Sequence, residues 1–360
     1  MKNKIKVISL FSGGGGLDLG FINQGYEIVW ANDSDKNAVA TYKKNLGDHI
    51  IHKDINDIEI NSLPSADVVI GGPPCQSFSL SGNRNPDDVR GQLVWKYLDI
   101  IEALEPKGFI FENVIGLKSA KDADGNLVLP QLQHAFKSIG YTVSTKVLNA
   151  ANYGVPQKRK RLFVVGLKNN REFEFPEILL SEEDFISVKD ALSDLPEAST
   201  TDKQLENYKS ANTPYQLAMR KNTKIITEHT IPTMSELDEY IIKHVKPGGN
   251  YMDIPPTVPS KRIKRLQKEG GRTTFYGRMD PEKSSYTINT YFNRPNGGCF
   301  IHYSHDRLIT TREALRLQSF PDSYQLVSSS QHGKRTIVGN AVPPLLAETI
   351  AQKFKKYIGG

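Results

Sequence analysis

Two rhythms of apolar and polar positions run through the first half of this chain. Short runs rich in Ile, Val and Phe (KIKVISLF, YEIVWAND, ADVVIGG, GFIFENV, STKVLNA and RLFVVGL) read as buried strands. Between them lie stretches whose apolar residues recur three and four apart: LDLGFINQGY, DKNAVATYKKNL, VWKYLDIIEAL and PQLQHAFKSIG. That spacing predicts helices. Asp35 stands where an N-cap belongs, and Gly140 closes the fourth helix. A further short strand is expected around His49 to His52, just before Asp54. Strands and helices alternating in this order predict an α/β fold, a doubly wound Rossmann-like sheet over residues 1–187.

The rhythm then dissolves. From about Val188 to Tyr303 the sequence is rich in Pro, Gly, Thr and Asn and has no repeat period. A smaller domain of loops and short strands is expected there, extending with a hinge over 188–325. Helical spacing returns in TTREALRLQSF and in PPLLAETIAQKFKKYI, whose Pro-Pro suits a helix start. Residues 326–360 are expected to return to the first domain.

Composition narrows the class. A chain of 360 residues buries an ample core. No apolar run approaches the roughly 20 residues of a membrane span. MKNKIKVISLF is too short in apolar residues for a signal peptide and runs straight into glycines, so it reads as the first strand. Two cysteines make no disulfide framework, which points to a reducing cytoplasm. The net charge of +6 suggests a polyanionic partner. Its distribution says more: Arg171 to Glu206 is acidic, whereas Lys261 to Arg278 is basic and interleaves Phe275 and Tyr276 with arginines. Nucleic-acid surfaces have this composition, and so does a solvated charged face. Lys261, Arg262, Lys264, Arg265, Arg272 and Arg278 are the candidate nucleic-acid contacts.

SLFSGGGGLDLGF, Ser9 to Phe21, has the order strand, glycine turn, helix, which lets a ligand approach a helix N-terminus closely. The dinucleotide pattern G-x-G-x-x-G fails here, because its last position falls on Asp18 or Leu19. Asp33 ends the second strand, where a carboxylate can accept both hydroxyls of a ribose. Asp54 follows the third strand and can accept from an adenine amino group. Either acid alone suits a cap or turn; together, at successive strand ends, they favour a nucleoside pocket. An adenosine cofactor without a pyrophosphate fingerprint points to S-adenosylmethionine rather than a nicotinamide dinucleotide.

GGPPCQSFS carries Cys75 just past the strand ADVVIGG. A cysteine is more often a small buried hydrophobe than a nucleophile, which must be a thiolate. Flanking prolines and polar Gln76, Ser77 and Ser79 describe instead a stiff exposed turn. The next strand ends in Phe111-Glu112-Asn113-Val114, which sets a carboxyl group at the same sheet edge.

The sequence resembles the DNA (cytosine-5)-methyltransferases of the bacterial type II restriction–modification kind. The resemblance covers most of the chain and lies in six motifs in family order: LFSGGGGLDLGF, GGPPCQSFS, FENV, QKRKR, TTREALRLQSFPD and VGNAVPP. It implies methyl transfer from S-adenosylmethionine, without a metal, to carbon 5 of a cytosine flipped out of duplex DNA. Cys75 is implied as the nucleophile that adds to carbon 6, Glu112 as the group at ring nitrogen 3, and Arg159 and Arg161 as residues fixing the base. Phe11, Gly13, Gly14, Asp33, Asp54, Ile55, Pro74, Leu93, Asn340 and Val342 are implied to line the cofactor site. Leu80 to Arg90 matches the family's mobile loop. The irregular segment matches its target-recognition domain. The resemblance further implies a monomer, a bacterial cytoplasmic location and the genetic company of a restriction endonuclease. The chain departs from the pattern at Ser34, where many members carry an aromatic, so no adenine-stacking side chain is implied there. Pro73 stands where some relatives carry Phe.

Other readings fit less well. A tRNA cytosine-5 methyltransferase would carry a Cys-Phe-Thr stretch absent here, and a DNA-binding homologue without catalysis would not need Cys75, Glu112 and Arg161. A nicotinamide-dependent oxidoreductase shares the fold class, but its glycine pattern fails here. Cys299, His302 and His305 resemble a metal tract without an evident fourth ligand, and the stretch also reads as a strand.

Overall fold

The computed structural model describes residues 4–74, 92–122, 124–201 and 203–359. The chain divides into two compact units. The first comprises Met1–Asn149, Lys160–Ile178 and Pro344–Gly360; the second comprises Ala150–Arg159 and Leu179–Pro343.

In the first unit the alternation appears as β1 (Lys6–Leu10), α1 (Gly16–Asn23), β2 (Glu27–Asp33), α2 (Lys36–Leu46), β3 (Ile50–His52) and β4 (Val68–Gly71). It continues with α3 (Gln92–Leu104), β5 (Gly108–Val114), α4 (Val128–Ser138) and β6 (Thr142–Asn149). β8 (Lys160–Leu167) follows the two-residue β7 (Gln157–Lys158) of the second unit. Asp35 caps α2, its carboxylate accepting from the Asn37 and Ala38 amides. The sheet order is β3-β2-β1-β4-β5-β8-β6.

Strands β1 to β5 pair in parallel, but β8 runs antiparallel to both β5 and β6. The doubly wound expectation therefore needs one refinement, a reversed strand between β5 and β6. The apolar run RLFVVGL is silent on direction, because a strand buried on both faces reads alike either way.

Helices cover the sheet because its central strands are apolar on both faces. Tyr97 of α3, Phe136 of α4, and Phe109 and Phe111 of β5 form an aromatic cluster, with the Phe109 and Phe136 rings 4.2 Å apart. The C-terminal helix Pro344–Ile358 packs on α1 so closely that a Cβ on Gly20 would lie 2.5 Å from the Cβ of Ala347. The Tyr26 hydroxyl donates to the Ala351 carbonyl at 3.0 Å. Among the described residues no helix is long and apolar enough to cross a membrane.

The second unit is less irregular than its sequence suggests. It holds α5 (Val188–Leu192), α6 (Pro214–Met219), α7 (Glu236–Ile242), α8 (Lys261–Glu269), α9 (Thr311–Leu317) and α10 (Gln331–Asn340). Its strands are short: β9 (Gly277–Arg278), β10 (Ser285–Tyr286), which pairs with β7, and β11 (Cys299–Ile301), which pairs with β9. α8 escapes the sequence pattern because Ile263 is its one buried residue; Ser260, accepting from the Ile263 amide, starts it. α9 is helical as expected but carries fully buried arginines. Arg316 donates to Asp194 at 2.7 Å and to Asp322 at 2.6 Å, and Arg312 to Thr227 and Tyr324. These pairs join α9 to α5 and to the segments on either side of it.

Candidate active site

The glycine turn is held by a residue outside the glycine motif. Asn32, 1% exposed, accepts from the Phe11 amide at 3.4 Å and donates to the Lys53 carbonyl at 3.2 Å. One side chain thus ties three successive strand ends. Phe11 takes a left-handed backbone with φ 54°, a strained conformation for a bulky residue and one that turns the chain away from β1. Gly13, also left-handed at φ 56°, has open space where a Cβ would sit. Gly14 and Gly15 complete the turn into α1, which has no side-chain cap.

Asp33 anchors this turn. One carboxylate oxygen accepts from the Gly13 amide and the other from the Asp35 amide, each at 2.8 Å. Burial pushes its pKa up, against those two hydrogen bonds. Asp33 pairs in register with His52, so exposed Asp54 stands two residues beyond the adjacent strand end. Asp54 caps a 3-10 turn by accepting from the Asn56 amide, and Ile55 beside it is buried. Behind the turn Asp18 is fully buried, accepting from Ser9 Oγ and the Tyr42 hydroxyl at 2.7 Å each. Burial lifts its pKa to about 6.

The ends of β4 and β5 meet at the double glycine. A Cβ on Gly71 would lie 2.6 Å from the Leu10 carbonyl oxygen, and one on Gly72 would lie 2.7 Å from Glu112 Oε2. Both glycines are needed for close approach rather than for an unusual φ. Glu112 is 8% exposed, and its Oε1 lies 2.9 Å from Arg161 Nε. Arg161 reaches it because Val114 and Arg161 are register partners on β5 and β8. Burial lowers the Arg161 pKa, and the Glu112 carboxylate opposes that effect. Asn113 Nδ2 donates to the Pro73 carbonyl at 2.9 Å, fixing the corner that leads to Cys75. Pro74 is exposed, and Leu93 packs at the margin of the first unit's core. Cys75 itself and the loop Leu80 to Arg90 lie outside the described residues.

The other cysteine is a poor nucleophile. Cys299 is buried on β11, and burial pushes its thiol up to about 12. His302 nearby is pushed down to about 3, again chiefly by burial. Among the described residues no group of three His, Cys, Asp or Glu side chains is arranged to hold a metal.

Arg159 and Arg161, two positions apart in the sequence, belong to different units. Arg159 is fully buried and donates to the Ile288 and Gly339 carbonyls at 2.8 and 2.7 Å. Gln157, also fully buried, accepts from the Ile288 amide at 2.8 Å. The pair clamps both sides of one peptide residue, so Arg159 positions backbone rather than offering a free guanidinium. Asn340 ends α10 exposed and Val342 is buried, both in the second unit.

The basic tract splits. On α8, Lys261, Lys264 and Arg265 are exposed at positions that share one helix face, and Arg262 at its side donates to the Tyr276 hydroxyl. Arg272 is exposed beyond the helix. Arg278 overturns the expectation of a DNA contact. It is 5% exposed, donates to the carbonyls of Ile242, Val245, His302 and His305, and pairs with Asp306 at 2.6 Å. Those bonds engage the whole guanidinium, so Arg278 holds the second unit together. An isolated arginine in a basic run carries no mark of which fate awaits it.

Known proteins match this arrangement along its whole length. A family model for C-5 cytosine-specific DNA methylases matches residues 5–356. The type II methyltransferase M.MthTI of Methanothermobacter thermautotrophicus is 35% identical, the match covering 98% of each chain. M.NgoPII of Neisseria gonorrhoeae is 34% identical over 98% of this chain and 96% of its own. A solved structure of a putative DNA modification methyltransferase encoded within an E. coli prophage superposes with a TM-score of 0.75 at 25% identity, covering 99% of this chain and all of that one. The Dnmt2 methyltransferase of S. pombe shares the fold, with a TM-score of 0.65 at 18% identity over 98% of this chain and 99% of its own. With the glycine turn, the proline corner and Glu112 at one sheet edge and the match spanning both units, the chain belongs to the family of C-5 cytosine-specific DNA methylases.

Proposed function

We propose that this enzyme transfers the methyl group of S-adenosylmethionine to carbon 5 of cytosine in duplex DNA through a covalent adduct at Cys75. The observation that carries the reading is the joint at the ends of β4 and β5, where Gly72, Glu112, Arg161 and Asn113 converge on the Pro73 corner.

The chain's groups suit that chemistry. Carbon 5 of cytosine is too electron-poor to attack a methyl donor. Addition of the Cys75 thiolate forms a sulfur–carbon 6 bond and moves the ring's electron pair toward carbon 5. Glu112, oriented by Arg161, holds ring nitrogen 3 and draws density away from carbon 6 as the thiolate arrives. Carbon 5 would then take the methyl group as the methyl–sulfur bond breaks, its electron pair staying with the sulfur of the departing S-adenosylhomocysteine. Loss of its proton to a base restores the double bond and expels the thiolate. Asn113 acts as a positioning residue by fixing the Pro73 carbonyl, which limits how far the following thiol wanders.

S-adenosylmethionine, when bound, supplies an electrophilic methyl on a positively charged sulfur. The glycine turn fits it. Asp33 keeps lone pairs for two ribose hydroxyls after accepting its two amides, and Gly13 leaves room beside them. Asp54 and Ile55 offer an acceptor and an apolar contact to the adenine. The second unit serves as the target-recognition domain and supplies the few kcal/mol that flipping a base costs. Lys261, Arg262, Lys264, Arg265 and Arg272 are its candidate backbone contacts. The same reading makes the enzyme a monomeric bacterial cytoplasmic protein that guards DNA against a companion restriction endonuclease.

Bisulfite sequencing of DNA from cells expressing the chain tests this directly. Wild type and Cys299→Ala are expected to modify cytosines at one recurring sequence, and Cys75→Ser is expected to modify none. Duplex DNA carrying 5-fluorocytosine should trap the wild-type chain covalently, because fluorine does not leave as a proton does. Undiminished methylation by Cys75→Ser would overturn the mechanism.

A further inference from the structure

Two arginines of the second unit stand apart from the basic tract. Most buried cations here are paired: Lys334 of α10 lies 2.8 Å from Glu228, and Arg316 is shared by two aspartates. The next residue, Arg335, is half-buried, yet its Nε is shielded from solvent and has no hydrogen-bond partner among the described residues. Its charged neighbour is another arginine, Arg294, and partial burial together with that like charge pulls the Arg335 pKa down.

The backbone explains why the two charges lie near each other. Gly339 lies one helical turn beyond Arg335 on α10, hence on the same face. A Cβ on Gly339 would lie 2.5 Å from the Thr290 amide nitrogen, so that face rests directly on the loop that carries Arg294. The loop is tied shut. The Asn289 side chain accepts from the Tyr291 amide at 2.7 Å and donates to the Gly297 carbonyl at 3.0 Å. Arg294 stands exposed on this loop over the ring of Tyr291, which is itself 53% exposed. A partly buried guanidinium on α10 that feels the charge of Arg294 on the braced loop, with no ion pair to either arginine among the described residues, is unfavourable until an anion arrives.

We propose that Arg294 and Arg335 form a cradle for a single backbone phosphate of the DNA, with Tyr291 packing beside the neighbouring sugar. The proposal rests on the reading of duplex DNA as substrate. Guanidinium forks match phosphate oxygens, and a phosphodiester neutralises the pair where the free protein cannot. The loop's internal ties mean that little ordering is left to do on binding.

The test is the salt dependence of binding to a 30-base-pair duplex, read by fluorescence anisotropy between 50 and 200 mM KCl. Removing one phosphate from the binding footprint lowers the slope of log K against log salt by about 0.9. Arg335→Gln and Arg294→Gln should each flatten the slope, and the double variant should lose about 0.9 in total rather than twice that, because both arginines serve one phosphate. Arg294→Gln should also raise the Tm of the DNA-free protein, since it removes the like charge; a purely structural arginine would lower it. Unchanged slopes in variants of a wild type that binds and methylates DNA would overturn this cradle alone. So would a loss of S-adenosylmethionine affinity at constant slope, which would assign the anion to the cofactor's carboxylate. Failure of the wild-type chain to bind DNA would overturn the substrate reading as well.

Discussion

Replacing Gly72 by alanine adds one carbon at the joint between β4 and β5. That carbon would lie 2.7 Å from Glu112 Oε2 and 3.3 Å from the Glu112 carbonyl oxygen. A comfortable carbon–oxygen contact is about 3.3 Å, so the carboxylate must retreat by roughly 0.6 Å. Arg161, 2.9 Å from the other oxygen, resists that movement, and the two side chains must shift together. Misplacing a reacting group by about 1 Å costs about a hundredfold in rate, so roughly a tenfold fall in kcat is expected. The stability cost should be small. Overpacking costs about 1–3 kcal/mol, but here it meets the end of a side chain, and the glycine's lost unfolded-state freedom returns about 0.4–1 kcal/mol. Gly71→Ala is the control, because its Cβ would meet the Leu10 carbonyl oxygen at 2.6 Å, a backbone atom that cannot turn aside. Methyl transfer from tritiated S-adenosylmethionine, with thermal melts on the same samples, separates the two. Gly72→Ala should lose turnover with a melting shift of a few degrees at most; Gly71→Ala should lose mainly stability. Turnover of Gly72→Ala within twofold of wild type would show that Glu112 is not held where the chemistry needs it.

Two further substitutions probe burial. Asp18 has its pKa raised from 3.8 to about 6. The folded state therefore binds this proton more tightly than the unfolded chain, and the stabilisation is complete below pH 4 and lost as pH rises through 6. The gap corresponds to about 3 kcal/mol, so Asp18→Asn should flatten the loss of stability between pH 4 and 7; parallel denaturation profiles for the two proteins would refute this. Arg278→Lys should lower the unfolding free energy by about 3–5 kcal/mol, because a buried arginine's carbonyls and Asp306 lose their fork, while leaving the salt slope of DNA binding at its wild-type value. A flattened slope in a folded Arg278→Lys protein would return that residue to the DNA surface.

Much of the first unit is legible in its sequence, and the reason is physical. Period-two and period-3.6 patterns report burial directly, so GFIFENV and the Asp35-capped helix emerge at nearly the bounds the structure gives them. Motifs of small residues are legible for their chemistry but not for their cause. Nothing in GGPPCQSFS says why its two glycines are needed; the structure shows both pressed against Leu10 and Glu112, where a Cβ would not fit. Asn32 and Gln157 bind their partners across long sequence separations, and nothing local marks them. In the second unit α8 is not legible, because one buried residue makes no pattern.

The order of strands and helices, the glycine turn, the acids at successive strand ends and the cysteine on its proline corner follow from the amino acids alone. They depend on local propensity and on residue chemistry, which travel with the chain. Tertiary structure alone decided that β8 runs backward between β5 and β6, and so that Arg161 lies opposite Val114 and within reach of Glu112. It also decided which arginines are spent on carbonyls, as Arg159 and Arg278 are, and which, like Arg335, are left facing another positive charge. Pairing is a property of distance in space, and a guanidinium's partner is chosen only when strands and loops remote in sequence are brought together.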